Sequence, residues 1–149
     1  ASVSIIALVD YENDCVRTSL EVARALEGRL WGVQLDTPDY LVDRSVLPQM
    51  GTFPPAGVNP TLAWNVRNAL DAEGFGEVKL VVAGGLTAAR VRWFEDEKAP
   101  VDVYAVGTSI VHEQGLRYDF SGDVVQVDGK PQSRVGRELR VNPRLEHVK

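Results

Sequence analysis

The stretch LWGVQLDTP (residues 30–38) combines an apolar run with an abrupt polar end. The run has the length of a β-strand, although it carries fewer valines and isoleucines than the other strand candidates of the chain and is the weakest of them. Asp36 follows the last apolar residue directly, and Pro38 comes two residues later. If the strand is buried, the carboxylate at its end has a defined position, which indicates a functional group there.

Three further apolar runs predict strands: VSIIALV (3–9), VKLVVA (78–83) and VDVYAV (101–106). Near-continuous apolar runs are typical of strands that are covered on both faces, as in parallel sheets. Helical patterns separate the runs, over residues 16–27, over residues 59–74 and from about Thr87 onward. The order β-α-β-α-β-α-β predicts right-handed crossovers and a parallel sheet.

The chain changes character after residue 114. Residues 118–139 alternate and contain the turn sequence DGK (128–130), which predicts an antiparallel hairpin. We therefore expect α/β units in residues 1–114, and a hairpin segment of a second small domain with a polar tail in residues 115–149. The interval 37–57 holds four prolines and is predicted to be a long loop. Loops of that length are usually functional or disordered.

Composition excludes several classes of protein. The length of 149 residues fits one domain, and a net charge of −5 without a basic run argues against a nucleic-acid-binding surface. The start of the chain has no basic lead and only a short apolar run, so neither a signal peptide nor a membrane span is expected. The single cysteine, Cys15, forms no disulfide framework within one chain and is compatible with a reducing compartment. We expect a cytoplasmic protein.

Each predicted strand ends in residues suited to chemistry: Asp10, Asp36, Gly84 with Gly85, and Gly107 with Thr108 and Ser109. In a parallel sheet or barrel these ends lie on one side, where sites are built. Glycines at a strand–helix junction let the backbone approach a ligand, and the helix start favours an anion, so a phosphate pocket is predicted. The plainer interpretation is that the glycines only make tight turns.

The two strand-end aspartates have several plausible uses. Asp10 and Asp36 would bind sugar hydroxyls, hold Mg²⁺ directly or through water, or act as acid and base. The alternative is that each caps the following helix or loop. Two anion-binding turns beside them favour a role in binding ribose or a metal ion.

Four blocks, LWGVQLDTP, VKLVVAGGL, VYAVGTSI and YDF…VVQVDGKPQSRVG, resemble in this order the C-terminal half of nicotinate phosphoribosyltransferase, a type II phosphoribosyltransferase. The resemblance runs from about Ile5 to Gly136. It implies parallel βα units that form part of an irregular α/β (TIM-like) barrel, followed by the appended hairpin. It also implies transfer of phosphoribosyl from phosphoribosyl pyrophosphate (PRPP) to nicotinate, coupled to ATP hydrolysis and dependent on Mg²⁺, in NAD salvage.

The resemblance also assigns roles to residues. Asp36 and Thr37 match the family's LDT motif, whose aspartate contacts the ribose hydroxyls, and Asp10 matches an aspartate in the same ribose and Mg²⁺ neighbourhood. The turns expected to hold the 5′-phosphate correspond to Gly84, Gly85, Gly107 and Thr108. Gln34 stands where the family commonly has arginine, which leaves one substrate contact in question.

The family's catalytic histidine and several barrel strands precede the matched region, and four strands do not close an eight-stranded barrel. We therefore expect these residues to belong to a longer chain with its remainder upstream of Ala1, to be inactive alone, and to form a homo-oligomer. Two other interpretations stay open. One is a related enzyme acting on quinolinate or nicotinamide, and the other is a phosphate-binding module without catalysis.

Overall fold

A four-stranded parallel sheet lies at the centre of the computed structural model, which describes residues 3–51, 53–111 and 122–144. Its strands stand side by side in chain order: β1 (Ile5–Leu8), β2 (Leu30–Leu35), β3 (Lys79–Val82) and β4 (Val103–Tyr104). All three pairings are parallel. The α/β class predicted from the sequence is confirmed, since helices alternate with these strands and a separate antiparallel hairpin follows.

Three of the helices described by the structure begin at polar N-cap residues. The helices are α1 (Cys15–Leu26), α2 (Pro60–Ala72), α3 (Ala88–Asp96) and the short α4 (Thr108–Val111). The side chains of Asp14, Asn59 and Thr87 each accept a hydrogen bond from a backbone N–H three residues later. Such caps satisfy an otherwise unpaired donor and stabilise a helix by about 1 kcal/mol. They also fix where each helix starts relative to the strand before it.

The core lies between one face of the sheet and the helices. Val33, Leu35 and Leu80 are fully buried, as is Phe94 of α3. Burying a side chain of this kind stabilises the fold by roughly 1.5–3 kcal/mol. The sequence favoured strands covered on both faces, but on β1 the side chains of Ile6 and Leu8 are 48% and 45% exposed. In the described part of the chain β1 is therefore an edge strand with one open face.

The loop between β2 and α2 is anchored at the start of α1 through residues 42–45. The buried carboxylate of Asp43 accepts hydrogen bonds from the backbone N–H groups of Cys15 (2.8 Å) and Ser45 (2.9 Å). Asn13 donates to the carbonyl of Val42 at 2.8 Å. A 3₁₀ turn, Leu47–Gln49, completes the loop. These contacts hold residues 42–45 of the loop, which follows Asp36, against the start of α1.

The hairpin predicted around DGK is confirmed. Strands β5 (Gln126–Val127) and β6 (Lys130–Pro131) are antiparallel, and the turn residues Asp128 and Gly129 have positive φ angles of 50° and 72°. The proposed boundary at residue 115 stays a prediction, and residues 115–121 and 145–149 lie outside the described part. In the ranges that the structure does describe, no helix combines the length and apolar character needed to cross a bilayer.

Candidate functional site

A cleft of about 380 Å³ opens at the carboxyl ends of β2 and β3. Four of the eight site residues expected from the sequence line it: Asp36, Thr37, Gly84 and Gly85. The remaining lining residues are Pro38, Asp39, Tyr40, Leu86, Thr87, Arg90, Ser109, Arg134 and Arg137. The structure thus brings together two strand ends, the start of α3 and a distant C-terminal segment.

The Asp36 carboxylate lies in the space beside Gly84 that a side chain at position 84 would enter. A Cβ atom added to Gly84 would lie 3.0 Å from Oδ1 of Asp36, and the φ angle of Gly84 is +85°. Both the close approach and the left-handed backbone favour glycine at this position. Asp36 is half-buried. Burial raises the pKa of its carboxyl group, and the guanidinium groups of Arg134 and Arg137 oppose that shift.

The amino-terminal end of α3 borders the cleft through Leu86 and Thr87. Unpaired N–H groups and the positive end of the helix dipole make such an end favourable for an anion. Gly85 precedes it with a positive φ angle of 60°, and nothing lies within 4 Å of the point that a Cβ atom on Gly85 would occupy. This corner of the cleft therefore has the features of a phosphate site.

Thr37 lines the cleft, but its hydroxyl lies next to the thiol of Cys15. Its Oγ1 atom lies 3.7 Å from the Sγ atom of Cys15, and both residues are buried. Burial raises the pKa of the Cys15 thiol, and the neighbouring Asp43 carboxylate raises it further. The thiol therefore stays protonated and acts as a packing group.

Asp10 lies next to the cleft but does not line it. Its side chain is completely buried, and its Oδ2 atom is 3.1 Å from Nη2 of Arg134. That ion pair lacks hydrogen-bond geometry, so within the described residues neither carboxylate oxygen of Asp10 accepts a hydrogen bond. Burial raises the pKa of Asp10, while Arg134 opposes the shift and the Asp36 carboxylate adds to it.

Three other expected site residues lie outside the lining. Gln34 is half-buried on β2, where it pairs in register with Leu8 and Val81. The carbonyl of the exposed Gly107 accepts a hydrogen bond from Ile110 at 2.9 Å, and Thr108 begins α4. Ser109 reaches the cleft instead, and its hydroxyl donates to the carbonyl of Leu86 at 2.7 Å.

Sequence reasoning missed three arginines that line the cleft. Arg90 comes from α3 and donates to the carbonyl of Val58 at 2.6 Å. Arg134 and Arg137 follow the hairpin, and the Arg137 guanidinium lies 5.7 Å from the ring centroid of Tyr40. The stretch SRVGR (133–137), two arginines around a glycine, was the available signal.

The fit of Mg²⁺ differs between the two aspartates. Mg²⁺ is usually bound by one or two carboxylates together with substrate phosphates and water. Asp36, which faces the cleft, suits that arrangement, whereas Asp10 is enclosed and already faces a guanidinium. Over the described ranges no group of three or more His, Cys, Asp or Glu side chains is placed to hold a metal ion. The assignment of Asp10 and Asp36 to Mg²⁺ stays a prediction.

Comparison with known proteins places this geometry in context. No family model matches the chain. The chain is similar to the crystal structure of nicotinate-nucleotide pyrophosphorylase from Pyrococcus furiosus, with 32% sequence identity and a TM-score of 0.56. The chain has a phosphoribosyltransferase-like fold. The match covers 90% of this chain and 30% of the other, so the chain spans less than a third of that protein. The similarity does not single out nicotinate phosphoribosyltransferase.

Proposed function

We propose that these residues are part of a pyridine phosphoribosyltransferase that transfers phosphoribosyl from PRPP to nicotinate, giving nicotinate mononucleotide and pyrophosphate. The observation that carries the proposal is the close approach of the Asp36 carboxylate to Gly84, beside the glycine turn and helix start that have the features of a phosphate site. A sugar phosphate needs both a carboxylate for its hydroxyls and backbone donors for its phosphate. The name of the Pyrococcus furiosus protein, which refers to a nicotinate nucleotide, supports a pyridine base.

The 5′-phosphate would bind at Gly84, Gly85 and the amino-terminal end of α3. Backbone N–H groups at such an end donate to phosphate oxygens without a side chain in the way. Gly107 and Thr108 lie at the next strand end and would form the far side of this phosphate site. Ser109 of the same turn already borders the cleft.

Asp36 would face the ribose ring of the bound PRPP, with Thr37 beside it. When the bond between the anomeric carbon and the pyrophosphate oxygen breaks, positive charge develops on the ring before the base nitrogen bonds to that carbon. A carboxylate fixed nearby stabilises this charge without reorganisation, and such groups contribute about 10²–10³ in rate. The half-buried position of Asp36 in the cleft wall, close to Gly84, suits this role.

The diphosphate of PRPP would lie toward Arg90 and Arg137, which line the cleft on the sides of α3 and the C-terminal segment. Guanidinium groups match phosphate geometry through paired N–H donors. Mg²⁺, when bound to the diphosphate, would neutralise charge on the leaving group, with Asp36 as its protein ligand. Gln34, two residues before Asp36 on β2, is proposed to contact the substrate from the neighbouring position of the strand.

Several parts of the proposal concern the whole protein. ATP hydrolysis would be coupled to the transfer, the 149 residues alone would be inactive, and the protein would act as a cytoplasmic homo-oligomer. Incubation of the full-length protein with PRPP, ATP and Mg²⁺ tests the reaction when nicotinate, nicotinamide and quinolinate are supplied separately. We expect nicotinate mononucleotide from nicotinate.

The outcomes of this assay separate the candidate functions. Product from quinolinate or nicotinamide alone would change the base and keep phosphoribosyl transfer. Calorimetric binding of PRPP without turnover of any base would contradict the enzyme and favour a phosphate-binding module. Sedimentation of the same preparation measures the oligomeric state.

A further inference from the structure

Arg134 connects the C-terminal segment to the ends of two strands. Its Nη2 atom lies 3.1 Å from Oδ2 of Asp10, which follows β1, and 3.4 Å from the backbone carbonyl of Asp36, which follows β2. We propose that Arg134 is a positioning residue that neutralises Asp10 and holds the backbone of Asp36, so that Asp36 alone is the carboxylate that acts on the substrate. This inference rests on the proposed function.

The environment of Asp10 requires a cation. Its side chain is wholly buried, and no described residue donates a hydrogen bond to either carboxylate oxygen. An unpaired charge in that position is strongly unfavourable, and a guanidinium at 3.1 Å offsets part of the cost. The Asp36 carboxylate is close enough to raise the pKa of Asp10. Without Arg134, the negative charges of Asp10 and Asp36 would repel each other at this end of the sheet.

Backbone contacts hold Arg134 in place. The N–H of Val135 donates to the carbonyl of Tyr11 at 3.0 Å, and the N–H of Arg137 donates to the carbonyl of Arg134 at 3.0 Å. The Tyr40 hydroxyl donates to the carbonyl of Gly136 at 3.3 Å. With 15% of its side chain exposed, Arg134 is a fixed part of the cleft wall.

The two aspartates therefore have different surroundings, although the sequence predicted the same possible roles for both. Asp10 is enclosed and faces Arg134, whereas Asp36 is half-buried, lines the cleft and lies against Gly84. A role for Asp10 through its partner Arg134 gives a reason for a buried carboxylate without hydrogen-bond donors among the described residues next to the site. Direct binding of the PRPP diphosphate by Arg134 is the competing explanation, and kinetics separate the two.

The experiment compares five variants of the full-length protein: Arg134→Met, Arg134→Lys, Asp10→Asn, the double change Asp10→Asn with Arg134→Met, and Arg140→Met as control. Arg140 is exposed, lies in the same segment and is outside the cleft lining. For Arg134→Met we expect kcat to fall about tenfold or more while KM for PRPP changes less than about threefold. Arg134→Lys should recover part of the loss, and Arg140→Met should match the wild type.

The double change gives the sharpest comparison. Removing the Asp10 charge should restore at least part of the rate lost in Arg134→Met, because no buried anion then remains to be neutralised. A double variant no better than Arg134→Met, or a main effect of Arg134→Met on KM for PRPP, would overturn the inference.

A wild-type protein that transfers phosphoribosyl to none of the three bases would contradict the proposed function separately. Thermal unfolding of the wild type, Arg134→Met, Asp10→Asn and the double variant then decides whether Asp10 and Arg134 act together. Destabilisation by Arg134→Met that Asp10→Asn partly reverses supports the pairing, whereas independent effects of the two changes contradict it.

Discussion

Asp36 Oδ1 lies 3.0 Å from the point that a β-carbon on Gly84 would occupy, so any side chain at the neighbouring strand end would meet this carboxylate. Asp36 and Gly84 lie 48 positions apart in the sequence, and each follows one of two adjacent parallel strands. Because Gly84 has no side chain, there is room for the Asp36 carboxylate at this position in the cleft wall. Two independent features therefore favour glycine at position 84: the nearby Asp36 carboxylate and the positive φ angle.

Gly84→Ala should therefore impair function beyond its effect on stability. A residue with a Cβ in the left-handed region costs roughly 1–2 kcal/mol, and the added carbon also displaces the Asp36 carboxylate. Gly74→Ala is the matched control, since its φ angle is +84° and nothing lies within 4 Å of its Cβ position. Chemical denaturation and phosphoribosyl transfer by the full-length protein measure the two effects. Equal transfer rates in both variants would show that the close approach of Asp36 to Gly84 has no functional importance.

Asp36→Asn should lower the rate of transfer by at least about tenfold, because the amide keeps the shape of the side chain and removes its charge. The binding of PRPP should weaken less than the rate. Asp96→Asn, an exposed change at the end of α3, is the control and should leave both quantities unchanged. A wild-type rate in Asp36→Asn would remove this carboxylate from the chemistry.

The strand and helix order could be predicted from the sequence because each element carries its own local signal. Apolar runs predicted the four strands, and the helical pattern predicted over residues 59–74 contains α2, whose start is marked in the structure by the cap Asn59 and by Pro60. Glycine turns and strand-end aspartates likewise indicated which edge of the sheet bears the cleft. These signals depend on a few neighbouring residues only.

The arginines of the cleft could not be located in the same way. Arg134 is 98 positions from Asp36 in the chain, and their proximity depends on how the segment after the hairpin returns to the sheet. No periodicity or spacing encodes such a contact. The difference between Asp10 and Asp36 could not be predicted for the same reason, since each is a strand-end aspartate and their burial and their position relative to Arg134 depend on the tertiary fold.

Asp43→Ala should destabilise the fold by about 1–3 kcal/mol, because one buried and one partly buried N–H group would lose their acceptor. Its carboxylate receives hydrogen bonds from Cys15 and Ser45 and ties the loop after Asp36 to α1. Asp43→Asn keeps one acceptor oxygen, so its free energy of unfolding should lie between those of the wild type and Asp43→Ala. Urea denaturation measures the free energy of unfolding, with the exposed Asp96→Ala as control. A loss in Asp43→Ala no larger than in that control would contradict the anchoring role.

Cys15 should resist alkylation in the folded protein near neutral pH. Alkylating reagents attack the thiolate, and burial together with the Asp43 carboxylate raises the pKa of this thiol. Labelling with iodoacetamide, followed by peptide mapping at Cys15, should be slower than in denaturant by about a hundredfold or more, since it requires local opening. Because Sγ contacts the Thr37 hydroxyl at 3.7 Å, binding of PRPP should slow labelling further. Native labelling as fast as in denaturant would show that the start of α1 does not shield the thiol.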